Sequence, residues 1–133
     1  MYNNEYRQEL INSMKDLSKE GFKCFILKER PGFMYGHIIT PNDNVIYVQR
    51  DGFNWRGWTF SLKYKPSRKT GNGCQCLEEP VQSITPEIIC RAEREGLQFA
   101  RKLGAKLYGS SQEYINKDLW NKESYEEISE PIE

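Results

Sequence analysis

No stretch of this sequence approaches the roughly 18 consecutive apolar residues that a membrane span needs. The opening Met1-Tyr2-Asn3-Asn4-Glu5 holds no apolar h-region, so no secretory signal is expected. Glycine stops at 10 residues and proline at 6 among 133, which excludes collagen-like and low-complexity readings. Catalytic signatures are missing as well: G-x-S-x-G, H-E-x-x-H, a Walker A loop and spaced carboxylate pairs do not occur. Histidine is nearly absent, His37 being the single one. Leu, Ile, Val and Phe together reach only 29 residues, just above the level at which a core becomes doubtful. These absences leave one small domain with no membrane partner. Its expected location is the cytoplasm, or the host cytoplasm if the chain is phage-encoded.

Cysteine is also sparse, with Cys24, Cys74, Cys76 and Cys90. A reducing compartment makes disulfides unexpected. Cys24 in an apolar run and Cys90 on an apolar helix face read as small buried hydrophobes. Cys74-Gln75-Cys76 lies in a Gly-rich loop. Structural zinc sites usually show two paired knuckles, and this chain has one, so neither a metal nor a cofactor is assigned. A thiol at Cys74 beside a cationic loop would have a lowered pKa. Cys74 and His37 are the residues on which an enzymatic reading would rest, and binding is favoured over catalysis.

Charge is balanced in total, at 19 basic and 19 acidic residues, and split along the chain. Residues 22–73 carry a net +6, from nine cations and three acids; residues 111–133 carry a net −5, from two cations and seven acids. Such asymmetry either marks an uneven solvated surface or points to a basic face for an anionic ligand beside an acidic tail.

The spacing of Tyr6, Leu10, Met14 and Leu17 predicts a helix over 3–20, closed by Gly21. Strands are predicted over 22–29, 33–40, 45–50 and 58–65. In the last, Trp58, Phe60, Leu62 and Tyr64 alternate with Thr59, Ser61, Lys63 and Lys65, so one side faces a core and the other water. Pro41-Asn42-Asp43-Asn44 reads as a turn. Residues 66–80 read as a long loop, and long loops are functional suspects. Thr85 and Pro86 open a second helix with a buried stripe of Ile88, Ile89, Ala92, Gly96, Phe99, Ala100 and Leu103. Ser110 and Glu113 resemble a capping box for a third helix over 112–121. The expected architecture is α+β: a four-stranded antiparallel meander with an N-terminal helix and one or two C-terminal helices packed on one face. Residues 1–121 form that single domain, and 122–133 an acidic, weakly ordered tail.

If Trp58, Phe60, Leu62 and Tyr64 face the helices, the outward side of the sheet collects Thr59, Ser61, Lys63 and Lys65, with Tyr47, Gln49, Tyr35 and His37 from neighbouring strands. Such a mixture can stack a base and hold a phosphate, or it can be an ordinary wet sheet face. Two basic, Gly-bearing loops flank it, at 50–57 and 65–73. Glycines let backbone N–H groups approach a phosphate, and Arg grips one bidentately. The candidate ligand-binding residues are therefore Tyr35, Tyr47 and Trp55 for stacking, with Arg50, Arg56, Lys63, Lys65, Arg68 and Lys69 for phosphates. The acidic residues Glu113, Asp118, Glu123, Glu126, Glu127, Glu130 and Glu133, interspersed with Tyr114, Trp120 and Tyr125, offer a second surface for a basic partner.

The run Tyr35-Gly36, Thr40-Pro41-Asn42, Trp58-Thr59-Phe60-Ser61 and Lys65-Pro66-Ser67-Arg68-Lys69-Thr70-Gly71 resembles small proteins of Firmicute phages and prophages. The resemblance covers about two thirds of the chain and carries no assigned chemistry. It implies action by binding, as in inhibitors of host defence such as anti-CRISPR proteins, or in sponges for nucleotide signals. The leading expectation is a non-enzymatic binding protein for a phosphate-bearing small molecule or nucleic acid. The alternative is a protein-only inhibitor of a host defence nucleoprotein, acting through its acidic C-terminal helix and tail. A homo-oligomer is compatible with either.

Overall fold

The apolar recurrence near the N-terminus becomes α1 (Asn4–Lys19), whose Leu10, Met14 and Leu17 are completely buried. A computed structural model describes residues 4–28, 33–51, 56–117 and 125–129 of the chain. Helix α1 leads into β1 (Lys23–Leu27), β2 (Phe33–Ile39), β3 (Val45–Asp51), β4 (Thr59–Ser67) and β5 (Gly71–Gln75). Two helices follow, α2 (Pro86–Leu103) and α3 (Ser111–Lys117), and β6 (Tyr125–Ile128) ends the order. The six strands form one antiparallel sheet in the order β5-β4-β3-β2-β1-β6.

The four expected strands are the centre of this sheet, and the count was two short. Strand β5 falls within the long loop predicted over 66–80, because Gly71-Asn72-Gly73 shows no apolar alternation. It is pinned instead by Tyr64, whose buried phenol donates to the carbonyls of Thr70, at 2.7 Å, and Gly73, at 3.1 Å. Strand β6 was read as loose tail because it is Tyr-Glu-Glu-Ile. It pairs with β1, placing Glu126 beside Ile26 and Glu127 beside Phe25. Arg7 holds this edge from α1, reaching the carbonyl of Leu27 at 2.7 Å and the carboxylate of Glu126 at 3.4 Å. The expected boundary at 121/122 lies outside the described residues.

Alternation along the strands divides the sheet into two faces. Cys24, Ile26, Met34, Ile38, Ile46, Val48, Phe60, Leu62 and Tyr64 point to one face and are all buried beneath α1 and α2. The helices sit close because two positions carry no side chain. A Cβ at Gly36 would lie 2.3 Å from the carbonyl oxygen of Phe25 and 2.8 Å from Met14, and one at Gly96 would lie 2.8 Å from Leu62 and 2.9 Å from the Cys76 sulfur. Gly96 in mid-helix is therefore where α2 comes closest to Leu62 and Cys76.

Helix α2 has the N-terminus its sequence predicts. Thr85 Oγ1 accepts from the Ile88 N–H at 3.2 Å, Pro86 is the first helical residue and Gly104 closes the helix. Its buried stripe is narrower than expected. Ile89, Ala92, Gly96 and Ala100 are buried, whereas Phe99 is 49% and Leu103 37% exposed. Cys90 is exposed as well, contrary to its reading as a core residue. The missing position on the stripe is taken by a carboxylate. Glu93 is buried and accepts from Thr40 Oγ1, from Asn42 Nδ2 at 3.1 Å and from Asn44 Nδ2 at 2.9 Å. The β2–β3 turn is therefore anchored to α2 by polar groups that satisfy one another.

Candidate binding face

The opposite face of the sheet carries the odd-numbered residues of β2, β3 and β4. Across it run two rows in register: Tyr35, Gln49 and Thr59, then Phe25, His37, Tyr47, Ser61 and Gln75. Lys63 is one step further along β4, across from Gly73. The placement expected for Tyr35, His37, Tyr47, Gln49, Thr59, Ser61 and Lys63 is the one observed.

Half of this face is not open. Helix α3 packs on it, on the side opposite α1 and α2, where all helices had been expected together. The sequence shows α3 only as a capping signal, and its destination depends on one buried residue, Tyr114. Tyr114 packs on Ile39 and Val45, and its hydroxyl lies 2.8 Å from His37 Nε2. The helix start is fixed three times. Ser110 Oγ accepts from the Glu113 N–H at 3.2 Å, Glu113 accepts from the Gly109 N–H at 2.9 Å, and Asp43 in the β2–β3 turn accepts from the Ser111 N–H at 3.0 Å. The Ser111 side chain, with its N–H, holds the carboxyl of Asp43 below the usual carboxylate range, and the Gly109 N–H does the same for Glu113. The expected extension of this helix to 121 lies outside the described residues.

His37 is the centre of the covered half. The rings of Tyr47, Tyr114 and Tyr125 surround it at centroid distances of 5.2, 5.4 and 5.1 Å. Burial pushes its pKa down to about 3, helped by the charge of Lys63. The imidazole is therefore neutral at physiological pH. It cannot serve as a cation for phosphate, nor as a base reached by solvent.

Beyond this cluster the surface opens toward β4 and β5. Tyr35 and Tyr47 are both half-buried, with ring centroids 5.7 Å apart and tilted by 43°. Lys63 reaches over the Tyr47 ring, its Nζ 5.9 Å from the centroid. Gln49, Thr59 and Ser61 are half-buried and Gln75 is exposed.

The nine candidate ligand residues do not all meet here. Tyr35, Tyr47 and Lys63 share the open strip. Lys65 lies further along β4 and is paired with Glu113 at 3.5 Å. Arg68 and Lys69 are exposed at the β4–β5 turn, which is closed by a 2.6 Å bond between the hydroxyls of Ser67 and Thr70. Arg50 points the other way. It is buried on the helix side, its guanidinium 3.8 Å from the centre of the Tyr6 ring and 5.6 Å from that of Trp58. The even-numbered register of β3 forces this orientation. Arg56 pairs with Glu79 at 2.9 Å, beyond the strip. Trp55 lies outside the described residues.

Sequence reasoning missed Lys106, whose carbonyl accepts from the Lys65 N–H at 2.8 Å and so brings a further exposed cation to the end of β4. No spacing rule links residues 65 and 106.

Cys74 and Cys76 are placed unlike reactive thiols. Cys74 and Cys76 are buried between β5 and α2, and burial raises both thiols, Cys76 to about 12. This reverses the lowered pKa expected for Cys74 in a cationic loop, because the side chain points inward, toward the Gly96 carbonyl at 3.6 Å. Among the described residues, no three His, Cys, Asp or Glu side chains gather as metal ligands. No helix among them is long and apolar enough to cross a membrane. No protein-family model, no curated protein and no solved structure matches this chain.

Proposed function

We propose that this chain is a non-enzymatic binding domain of phage or mobile-element type. It holds a phosphate-bearing ligand, a nucleotide signal or a nucleic acid, against the open strip of its sheet. The observation that carries the reading is the grouping of Tyr35, Tyr47 and Lys63 on one outward face, with the two rings 5.7 Å apart and the ammonium above one of them. Aromatic rings accept the π-face of any base, and a neighbouring cation holds the phosphate. Gln49, Thr59, Ser61 and Gln75 supply hydrogen-bonding groups along the rim.

The acidic C-terminal region supports the rival reading less well. Tyr114 is spent on the chain's own sheet, and Glu113 and Glu126 are engaged by Lys65, Lys117 and Arg7. The test is a thermal-shift screen of the purified chain against nucleotides, cyclic dinucleotides and short oligonucleotides. At least one class should raise the melting temperature, and Tyr47→Ala should abolish that rise while the variant remains folded by circular dichroism. A shift with no class, or one that survives Tyr47→Ala with Lys63→Gln, contradicts the proposal.

A further inference from the structure

The phosphate-ligand reading leaves open whether the occupant is compact or extended, and the layout of the cations decides between them. Lys63 and Lys65 occupy alternate outward positions of β4, half-buried and in line. Alternate residues of a strand are about 6.6 Å apart, comparable with the separation of successive phosphates on an extended single strand. Past them, Arg68 and Lys69 are exposed on the hairpin turn, and Lys106 lies beside Lys65 through the backbone bond described above. From Lys63 to the end of β4 at Ser67 the chain covers about 13 Å. A nucleoside monophosphate, with its single phosphate, cannot engage the cations at both ends of such a track.

The stacking groups are at one end only. Tyr47 lies next to Lys63, and Tyr35 beyond it. The width of the strip is limited on both sides. Tyr114 and α3 cover Ile39 and Val45, and β5 is the edge of the sheet. Strands β3 to β5 span about 10 Å between their axes, which accommodates one chain with its bases turned inward but is narrower than a double helix. We infer that the occupant is a single-stranded nucleic acid, lying along β4 with two bases on Tyr35 and Tyr47 and its following phosphates on Lys63, Lys65 and the hairpin cations. This inference rests on the reading of the preceding subsection and narrows it to one ligand class.

A carboxylate of α3 opposes that occupant. Glu113 lies 3.5 Å from Lys65, and an incoming phosphate must displace it. Glu113→Gln retains a carbonyl oxygen for the Gly109 N–H, so α3 keeps its start while the competing charge is gone. The variant should bind a strand several-fold more tightly.

The experiment is fluorescence anisotropy with labelled oligo(dT) and oligo(U), from a dinucleotide to about twelve residues, beside labelled mononucleotides and a short duplex. Affinity should rise with length until the track is covered and should be weak for mononucleotide and duplex. Lys63→Gln with Lys65→Gln should lower strand affinity more than about tenfold and reduce the steepness of the salt dependence by about 1.4. Equal affinity for mononucleotide and long strand, preference for the duplex, or unchanged affinity in the folded double variant overturns this inference while leaving a phosphate-bearing ligand in place. Absence of binding to every probe, including nucleotides and cyclic dinucleotides, overturns both.

Discussion

The two faces of the one sheet are covered by different means. On one, α1 and α2 lie over the even-numbered positions of β2, β3 and β4, which are aliphatic or aromatic except at Gly36, Arg50 and Pro66, and nearly every side chain is shut from water. On the other, α3, of seven residues, covers only the β1–β3 side, and the β4 side stays half-open with rings, hydroxyls and a lysine. The lesson is that the first face specifies the fold and the second is free to carry function. A close-packed layer penalises every change of volume, whereas a partly wetted layer tolerates chemistry chosen for a ligand.

The largest effect expected from this contrast is at Gly36, where α1 and β1 leave no room for a methyl group. Gly36→Ala should destabilise by more than about 4 kcal/mol, or prevent folding, because the clash is with backbone. Next comes a paired test across one strand. Leu62→Ala removes a fully buried side chain and should cost about 3 kcal/mol, while Ser61→Ala, one residue away on the open face, should change stability by less than about 0.5 kcal/mol. Chemical denaturation reads both. Equal costs at 61 and 62 would erase the distinction between the faces.

Much of the helix-covered face was legible because burial there repeats with the strand period, and Leu62 can be assigned from Trp58, Phe60 and Tyr64 alone. The β2–β3 turn was legible from Pro41 and the start of α2 from Thr85 and Pro86, whose chemistry is local. The edges were not. Strand β5 is held by a phenol donated from β4, and β6 by an arginine from α1, and neither leaves a pattern in its own residues. The candidate strip was half legible. Parity places Tyr35, Tyr47 and Lys63 together, and the same parity, followed to the last residue of the strand predicted over 45–50, turns Arg50 inward, against its expected role as a phosphate group. That α3 crosses to the far side depends on Tyr114 meeting His37, a contact 77 residues apart in sequence.

The covered half of the outer face can be sharpened by pH. His37 is an ordinary histidine when unfolded and titrates near pH 3 when folded, so the unfolded chain binds more protons between those values. Its contribution is complete above about pH 6.5 and is lost as the pH falls through the window toward 3. Between pH 7.5 and 5 the loss should approach about 2 kcal/mol, and His37→Phe should flatten that part of the stability profile. A wild-type profile that is already flat there would mean that the ring is not shut from water. A smaller effect than that of His37 is expected at the hydroxyl that joins α3 to the sheet. Tyr114→Phe should cost about 1 kcal/mol and speed hydrogen exchange in 111–117 while leaving α1 and α2 unchanged.

The proposed ligand site is tested most directly by mapping which amides of the sheet respond to a phosphate-bearing ligand. Titration of isotope-labelled protein with a short oligo(dT), followed amide by amide in heteronuclear NMR spectra, maps that contact. The expected shifts concentrate at Tyr35, Tyr47, Ser61, Lys63 and Lys65, with the amides of α1 and α2 unmoved. Shifts confined to the helix-covered side or to the acidic strand β6, with the Tyr35–Lys63 strip silent, would contradict it.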